Sequence, residues 1–456
     1  MSMPFNIRFR LSVMMFLQLA VWGAWFSVGF SYFSQDLGFG PGVAGHLFGF
    51  LWLACIVAPF VGGQIADRWF PTQYFLAISH LVGGVLLLVM AYTSDSTTML
   101  VLMAFYTLLY APTLALVNSL AFHHLSDPDR QFGGIRVFGT LGWIAAGVAL
   151  TLWRHLSDPA FLQELGGFGL TGEWFGKLWK LWWAPTAVKW FMKGDLLYLA
   201  GGCSLAYGLF AFSLPKTPPR KSAENPLAFL GALKLLKDPN FAVFLAIAFV
   251  VTTELQFYFM LTNDFFVKSL GMSPANVPMV MTVAQLAEIV AMWWLLPLAI
   301  KRIGLRWTLA LGVIAWPLRY VIFALGEPYQ VVFGDMTFNL MAPHWLVVAS
   351  LAFHGFGYAF FFVASQIYVN NAAHSDIRAS AQSLLTLVTL GAGMWLGTQL
   401  TVFILDYFTT GKGVEAVTNW TAVFLVPCVL TAACAVAYLV FFKPPEKQLK
   451  AEGEVA

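Results

Sequence analysis

The segment 215–238 reads PKTPPRKSAENPLAFLGALKLLKD, and the rest of the chain falls into place around it. It is rich in proline, lysine and arginine. It interrupts a succession of long apolar runs near the middle of the sequence. Six runs precede it, at 11–33, 43–66, 72–93, 97–122, 134–153 and 195–214. Six follow, at 240–266, 274–300, 307–325, 344–369, 379–405 and 419–442. A helix that crosses a bilayer needs about 20 apolar residues. Inside hydrocarbon every backbone polar group needs an internal partner, which a helix supplies. The ten-residue alternation of a transmembrane barrel is absent. The pattern predicts an all-α membrane protein of twelve transmembrane helices. Two six-helix bundles, 1–214 and 239–456, are expected on either side of a cytoplasmic linker.

Composition agrees. Of 456 residues, 59% are apolar and only 10% charged. Soluble domains carry roughly a quarter charged residues, and a chain this poor in charge cannot cover a water-facing surface. The net charge of +3 leaves no broad nucleic-acid face. The four cysteines, Cys55, Cys203, Cys428 and Cys434, lie in apolar stretches without CxxC spacing. They read as small buried residues rather than a metal or redox site. The first apolar run is too long for a signal-peptide core and is expected to stay as a helix.

Basic residues orient the chain. With a cytoplasmic N-terminus, that side collects seventeen of the 25 lysines and arginines, the opposite side seven, and Arg319 lies inside a span. Both termini are therefore expected in the cytoplasm. Five of the seven sit in 154–194, where Trp174, Trp179, Trp182, Trp183 and Trp190 alternate with lysines. This segment reads as an interfacial stretch with indoles at headgroup depth, either a loop ornament or a gating lid.

Two halves of six helices around a basic central loop match the architecture of major facilitator transporters, whose solute site lies near the midplane. The loop GQIADRW at 63–69 carries the G-x-x-x-D-R beginning of the facilitator loop motif, and KRIGLRW at 301–307 is its weak echo.

Ionisable residues inside hydrocarbon are costly and mark function or pairing. The candidates are Arg136, Glu254, Glu288, Arg319 and His354, with Asp264 near a helix end. Arg136, Thr140 and Trp143 share one helix face at i, i+4 and i+7. They offer a charged donor, a hydroxyl and an aromatic plate. Arg136 reads equally well as an interfacial arginine that reaches lipid phosphate. Gln285 and Glu288 share a face three residues apart, fit to bind a solute hydroxyl or carry a proton; the alternative is a structural pair with Arg319. One of Glu254 and Gln256 is expected at the cavity and the other in a structural role. Tyr358 and Ser365 align at i and i+7. His354 reads as a proton relay or, more simply, as a packing histidine. No Walker loop, HExxH, GxSxG or dinucleotide fingerprint is present, so no enzyme machinery or cofactor is implied.

Several stretches together resemble the nucleoside:proton symporter family of the major facilitator superfamily. They include FLQLAVWGAWF in the first span, YAPTLALVNSL in the fourth, IRVFGTLGW at 135–143, ELQ at 254–256, QLAE at 285–288, AWPLRYVIFALGEP at 315–328 and DIRASAQ at 376–382. The resemblance implies the facilitator fold and nucleoside import by proton symport through alternating access. It implies protons, a nucleoside-like solute and the bilayer as partners, a monomeric state and a place in the bacterial inner membrane. It implies that Arg136, Thr140, Gln256, Gln285 and Glu288 contact the solute, with Trp143 and Tyr358 as aromatic plates in place of phenylalanines. Two positions depart from the family pattern: Phe259 replaces an asparagine and Ala359 an aspartate. Glu288 is then the expected proton carrier. Transport of a sugar or modified nucleoside, uncoupled facilitation, and a membrane sensor on the same scaffold are the competing readings.

Overall fold

The structure is a computed structural model that describes residues 4–61, 71–125, 128–156, 194–218, 228–333, 336–374, 377–411 and 415–445. The helices are α1 (Phe5–Ser31), α2 (Gly40–Val61), α3 (Thr72–Ala91), α4 (Ser96–His124), α5 (Pro128–Leu156) and α6 (Asp195–Ala211). After a short helical stretch at 228–237 come α7 (Pro239–Lys268), α8 (277–303), α9 (305–324), α10 (His344–Ala372), α11 (378–407) and α12 (Trp420–Phe441). Ten helices among the described residues are long and apolar enough to cross a membrane. One of these, Val277–Ala324, is two spans, because Gly304 breaks it with φ of 76°. Only glycine adopts that backbone without strain. The apolar α6, 17 residues long, completes the twelve.

Local sequence starts these helices. Asp95 caps α4 by accepting from the Thr98 backbone N–H at 2.7 Å. That bond holds the Asp95 carboxyl below its ordinary range. Asn419 caps α12 by accepting from Ala422 N–H at 3.0 Å. Stripes of large apolar residues face outward, such as Ile78, Val82, Val85 and Val89 on α3 and Val101, Phe105 and Leu108 on α4. In water such faces would aggregate; in a bilayer they are the solvated surface.

The sequence reading expected only helices, and the structure adds two small hairpins. Tyr329–Phe333 pairs antiparallel with Met336–Leu340, and Thr409–Thr410 with Val417–Thr418. The first lies in the connection from α9 to α10.

The chain divides into two compact units. The first comprises Met1–Leu47, Ile65–Lys221 and Phe259–Thr282; the second comprises Phe48–Gln64, Ser222–Tyr258 and Val283–Ala456. In the first, α1 packs along α5 and α6, and α3 along α4 and α6. One core cluster gathers Leu11, Met14 and Met15 of α1 with Leu76, Leu120, Ile135 and Tyr207. In the second, α9 packs on α10 and α12. The expected interfacial segment 154–194 falls outside the described residues from 157 to 193, as do loop 62–70 and linker residues 219–227.

Candidate solute-binding site

Glycines on α5 let it lie close on α1. A Cβ on Gly142 would sit 2.0 Å from the Phe16 carbonyl oxygen, and one on Gly139 would meet Leu19 and the Arg136 guanidinium. This approach sets the face that carries Arg136, Thr140 and Trp143. Thr140 is buried, while Arg136 and Trp143 are half-buried. The Trp143 ring meets Trp22 edge-on at 5.4 Å and Phe26 at 6.2 Å, and stands 6.3 Å from Phe259. Phe259 also meets Phe26 at 5.1 Å. The residue where the family pattern has an asparagine therefore completes an aromatic cluster.

Two polar networks flank this face in the first unit. Gln18 donates to Thr113 Oγ1 at 2.8 Å, and its carbonyl end meets His80 Nε2 at 3.1 Å. His80 Nδ1 reaches Ser204 Oγ at 3.1 Å, which links α1, α3, α4 and α6. At the other end, Ser31 and Gln35 both donate to Asp264, and Asn263 donates to Ser31 Oγ at 2.6 Å. Lys268 stands 3.7 Å from the same carboxylate. Nearby, Arg154 clamps Asp195 with two bonds of 2.7 and 3.0 Å. It also donates to the Pro274 carbonyl at 3.0 Å. Asp264 thus joins α1 to α7 through hydroxyl and amide donors.

In the second unit, α7 supplies Glu254, Gln256 and Tyr258. Arg319 is fully buried, and its guanidinium reaches Glu254 at 3.4 Å and His354 Nδ1 at 3.0 Å. The rings of Tyr320, Tyr258 and Trp316 lie 4.4, 4.8 and 5.0 Å from its central carbon. Tyr320 donates to the Glu254 carbonyl at 2.7 Å. Glu254 neutralises Arg319, so Arg319 is not the partner of Glu288, and His354 belongs to the same packed cluster.

Gln256 and Gln285 are both buried and share a feature. The Gln256 amide nitrogen reaches Met394 Sδ at 2.9 Å. The carbonyl oxygen of each has no protein partner. A buried acceptor of this kind calls for a donor from solute or water. Glu288 is buried one turn beyond Gln285. A Cβ on Gly355 would come within 2.3 Å of the Glu288 backbone nitrogen, so glycine is what lets α10 lie against this turn of α8. Three residues on, Tyr358 opens a π-helical turn, 358–363, and further π turns occupy 291–295 and 387–393. Such turns are frequent at functional sites. Tyr358 is half-buried, 6.5 Å from the His354 ring and 5.7 Å from Phe362. Ala359 is buried and brings no carboxylate.

The sequence-predicted residues therefore form two sets. Arg136, Thr140 and Trp143 lie on one face in the first unit. Gln256, Gln285, Glu288 and Tyr358 lie in the second. A model of the nucleoside H+ symporter family matches residues 5–159 and 181–447. The chain belongs to that family. Among curated proteins, YegT of Escherichia coli K12 is 32% identical over 447 residues, covering 97% of this chain and 95% of YegT. The xanthosine permease of the same strain is 30% identical over 460 residues, covering 97% of this chain and 98% of the permease. A crystal structure of the nucleoside transporter NupG is 26% identical, superposes with a TM-score of 0.75 and covers 96% of this chain and all of NupG. As a symporter of this family the chain is an integral membrane transporter with the major facilitator fold, and not an enzyme.

Sequence reasoning missed Tyr258, Gln18 and His80. Tyr258 lies in the run TTELQFYFMLTND at 252–264, where one tyrosine among phenylalanines carries no spacing signal. Gln18 and His80 are lone polar residues in apolar runs, whose cost in hydrocarbon was the only available hint.

Proposed function

We propose that this protein imports nucleosides across the bacterial inner membrane by proton symport, acting as a monomer with both termini cytoplasmic. The carrying observation is two buried glutamines, Gln256 and Gln285, whose carbonyl oxygens have no protein partner, with the buried carboxyl of Glu288 one helical turn from Gln285. Buried amide oxygens without a protein donor suit a solute rich in hydroxyl and N–H donors, such as a ribose with its base. Trp143 and Tyr358 offer aromatic faces, and stacking on a base contributes about 1–3 kcal/mol in nucleic-acid complexes. Arg136 and Thr140 supply donors for the carbonyl groups of a base. The names of the relatives, a xanthosine permease and a nucleoside transporter, support the same solute class.

In this reading the chain works as two six-helix halves, 1–214 and 239–456, joined by 215–238. Glu288 takes the coupling proton, because position 359 holds alanine. A carboxyl in hydrocarbon needs a partner or water whenever it is ionised. Protonation and solute binding at one face then depend on each other.

The test is a thermal-shift panel of nucleosides, bases and sugars on detergent-purified protein, followed by uptake of the stabilising compounds into proteoliposomes. Nucleosides should stabilise the protein and be taken up faster under an inward proton gradient. Stabilisation by free sugars alone would replace the nucleoside reading with a sugar one.

A further inference from the structure

The proposed solute face of α5 does not end at Trp143. Arg136, Thr140 and Trp143 are followed at helical spacing by Gly147, Thr151 and Arg154, so one stripe continues along the helix. The far part of that stripe is covered by the start of α8 and the turn before it. A Cβ on Gly147 would lie 2.9 Å from the Pro278 carbonyl oxygen and 3.1 Å from the Thr282 side chain. Thr151 Oγ1 accepts from the Met279 backbone N–H at 3.1 Å. That N–H lies in the first turn of α8, where the helix offers no carbonyl partner, so a hydroxyl of α5 caps α8. Arg154 donates to the Pro274 carbonyl at 3.0 Å, and beside it His155 Nε2 meets Asn276 Oδ1 at 2.6 Å. Where α1 ends, Ser31 and Gln35 donate to Asp264, and Asn263 donates to Ser31. Tyr32, next to Ser31, has its hydroxyl 3.2 Å from a Cβ placed on Gly194, the neighbour of Asp195. The two sets of bonds therefore share one end of the first compact unit. Segment Phe259–Thr282 belongs to that unit although it follows the linker in the chain.

The charges are arranged so that these bonds can part. Arg154 keeps its counter-ion Asp195, at 2.7 Å, on α6. Asp264 has Lys268 at 3.7 Å, one turn further along α7. Hydroxyl, amide and carbonyl groups make the bonds that join α1 and α5 to segment 259–282, and each charge is compensated on its own side. Separation then leaves no ion unpaired, which is the costly event at a buried pair. The freed Met279 N–H and Pro274 carbonyl can be taken up by water once this end is open.

We propose that these bonds are a latch: Thr151, Arg154 and His155, with Ser31 and Gln35, hold segment 259–282 in the state closed at the outer end, and outward opening in the transport cycle breaks them together. The proposal rests on the reading that both termini are cytoplasmic, which makes this end of α1, α5 and α7 the outer one. It gives the stripe that carries the proposed solute contacts a second task, control of access from outside.

The test places a cysteine at Thr282, which is buried behind the latch against Gly147. In the full-length protein its labelling by a charged, membrane-impermeant maleimide is followed in right-side-out and inside-out vesicles, above the level of the four native cysteines. Thr151→Val with Gln35→Ala removes one acceptor and one donor from the latch and no charge. Labelling from outside should rise about five- to tenfold for each bond lost, and labelling from the cytoplasmic side should not rise. Thr151→Ser, which keeps the hydroxyl, should label as Thr282→Cys alone does. Gln35 is exposed, so Gln35→Ala by itself gives the same test if the double variant does not fold. Unchanged labelling from outside in these variants overturns the latch. An equal rise from both sides, the mark of general loosening, overturns it too. A rise confined to the cytoplasmic side overturns the orientation, and the outer latch with it.

Discussion

Arg319 shows how a single residue was half legible. An arginine inside an apolar run had to be paired, because an unpaired charge in hydrocarbon is prohibitive. Its partner was not legible, since Glu254 lies 65 positions away and the pairing is made by packing alone. The sequence left Glu288 as the competing partner, and the structure gives Arg319 to Glu254. Removing one member of a buried pair leaves an uncompensated charge and costs about 3–5 kcal/mol, whereas replacing both by apolar residues is often neutral. Arg319→Leu should therefore lower the thermal midpoint sharply in detergent, and Glu254→Leu with Arg319→Leu should recover most of it. A single mutant that melts with the parent would remove the structural role assigned to the pair. At the proposed solute contacts the expectation differs. Arg136→Ala and Gln285→Ala should each weaken nucleoside binding by at least about 1 kcal/mol, the scale of a buried hydrogen bond. Their melting should be nearly that of the parent, and calorimetric titration reads the difference. Parent-like affinity in both would move the site elsewhere.

At the scale of elements, the sequence displayed its helices well and their contacts poorly. Runs of about twenty apolar residues located each span, because hydrocarbon thickness sets that length. Which glycines carry helix crossings depends on the neighbour and cannot be read along one chain. Gly142 and Gly355 are contact points: a methyl on either would enter the backbone of α1 or α8, at 2.0 and 2.3 Å. A Cβ on Gly202 of α6 meets nothing within 4 Å. Gly142→Ala and Gly355→Ala should thus reduce stability and transport together, while Gly202→Ala leaves both intact. Equal effects at all three, read by melting and uptake, would show that the close approaches are not limiting. The hairpin Tyr329–Phe333 with Met336–Leu340 escaped notice for a different reason. QVVF and MTFNL around a Gly-Asp pair are a strand–turn–strand signal, but they sit in a short loop between two much stronger helical signals. The π turn that Tyr358 opens had no signature in the sequence beyond the glycines before it.

For the whole molecule, composition and the rhythm of apolar runs were enough to reach the facilitator fold, and the resemblance carried them to a family that the family model then matched. The chemistry of transport was less legible. The aromatic cluster around Phe259 and the polar seam at Asp264 are tertiary features made by residues hundreds of positions apart. Transport by alternating access needs contacts of this kind to form in one state and break in another. The account turns on Glu288 as the residue through which proton and solute occupancy are linked. The most direct measurement is made on Glu288→Gln, which keeps hydrogen bonding and removes titration. Counterflow exchange of nucleoside and accumulation driven by an inward proton gradient are followed in the same proteoliposomes. The account predicts that the variant exchanges solute yet fails to concentrate it, while the parent does both. A Glu288→Gln transporter that concentrates nucleoside as well as the parent would contradict it.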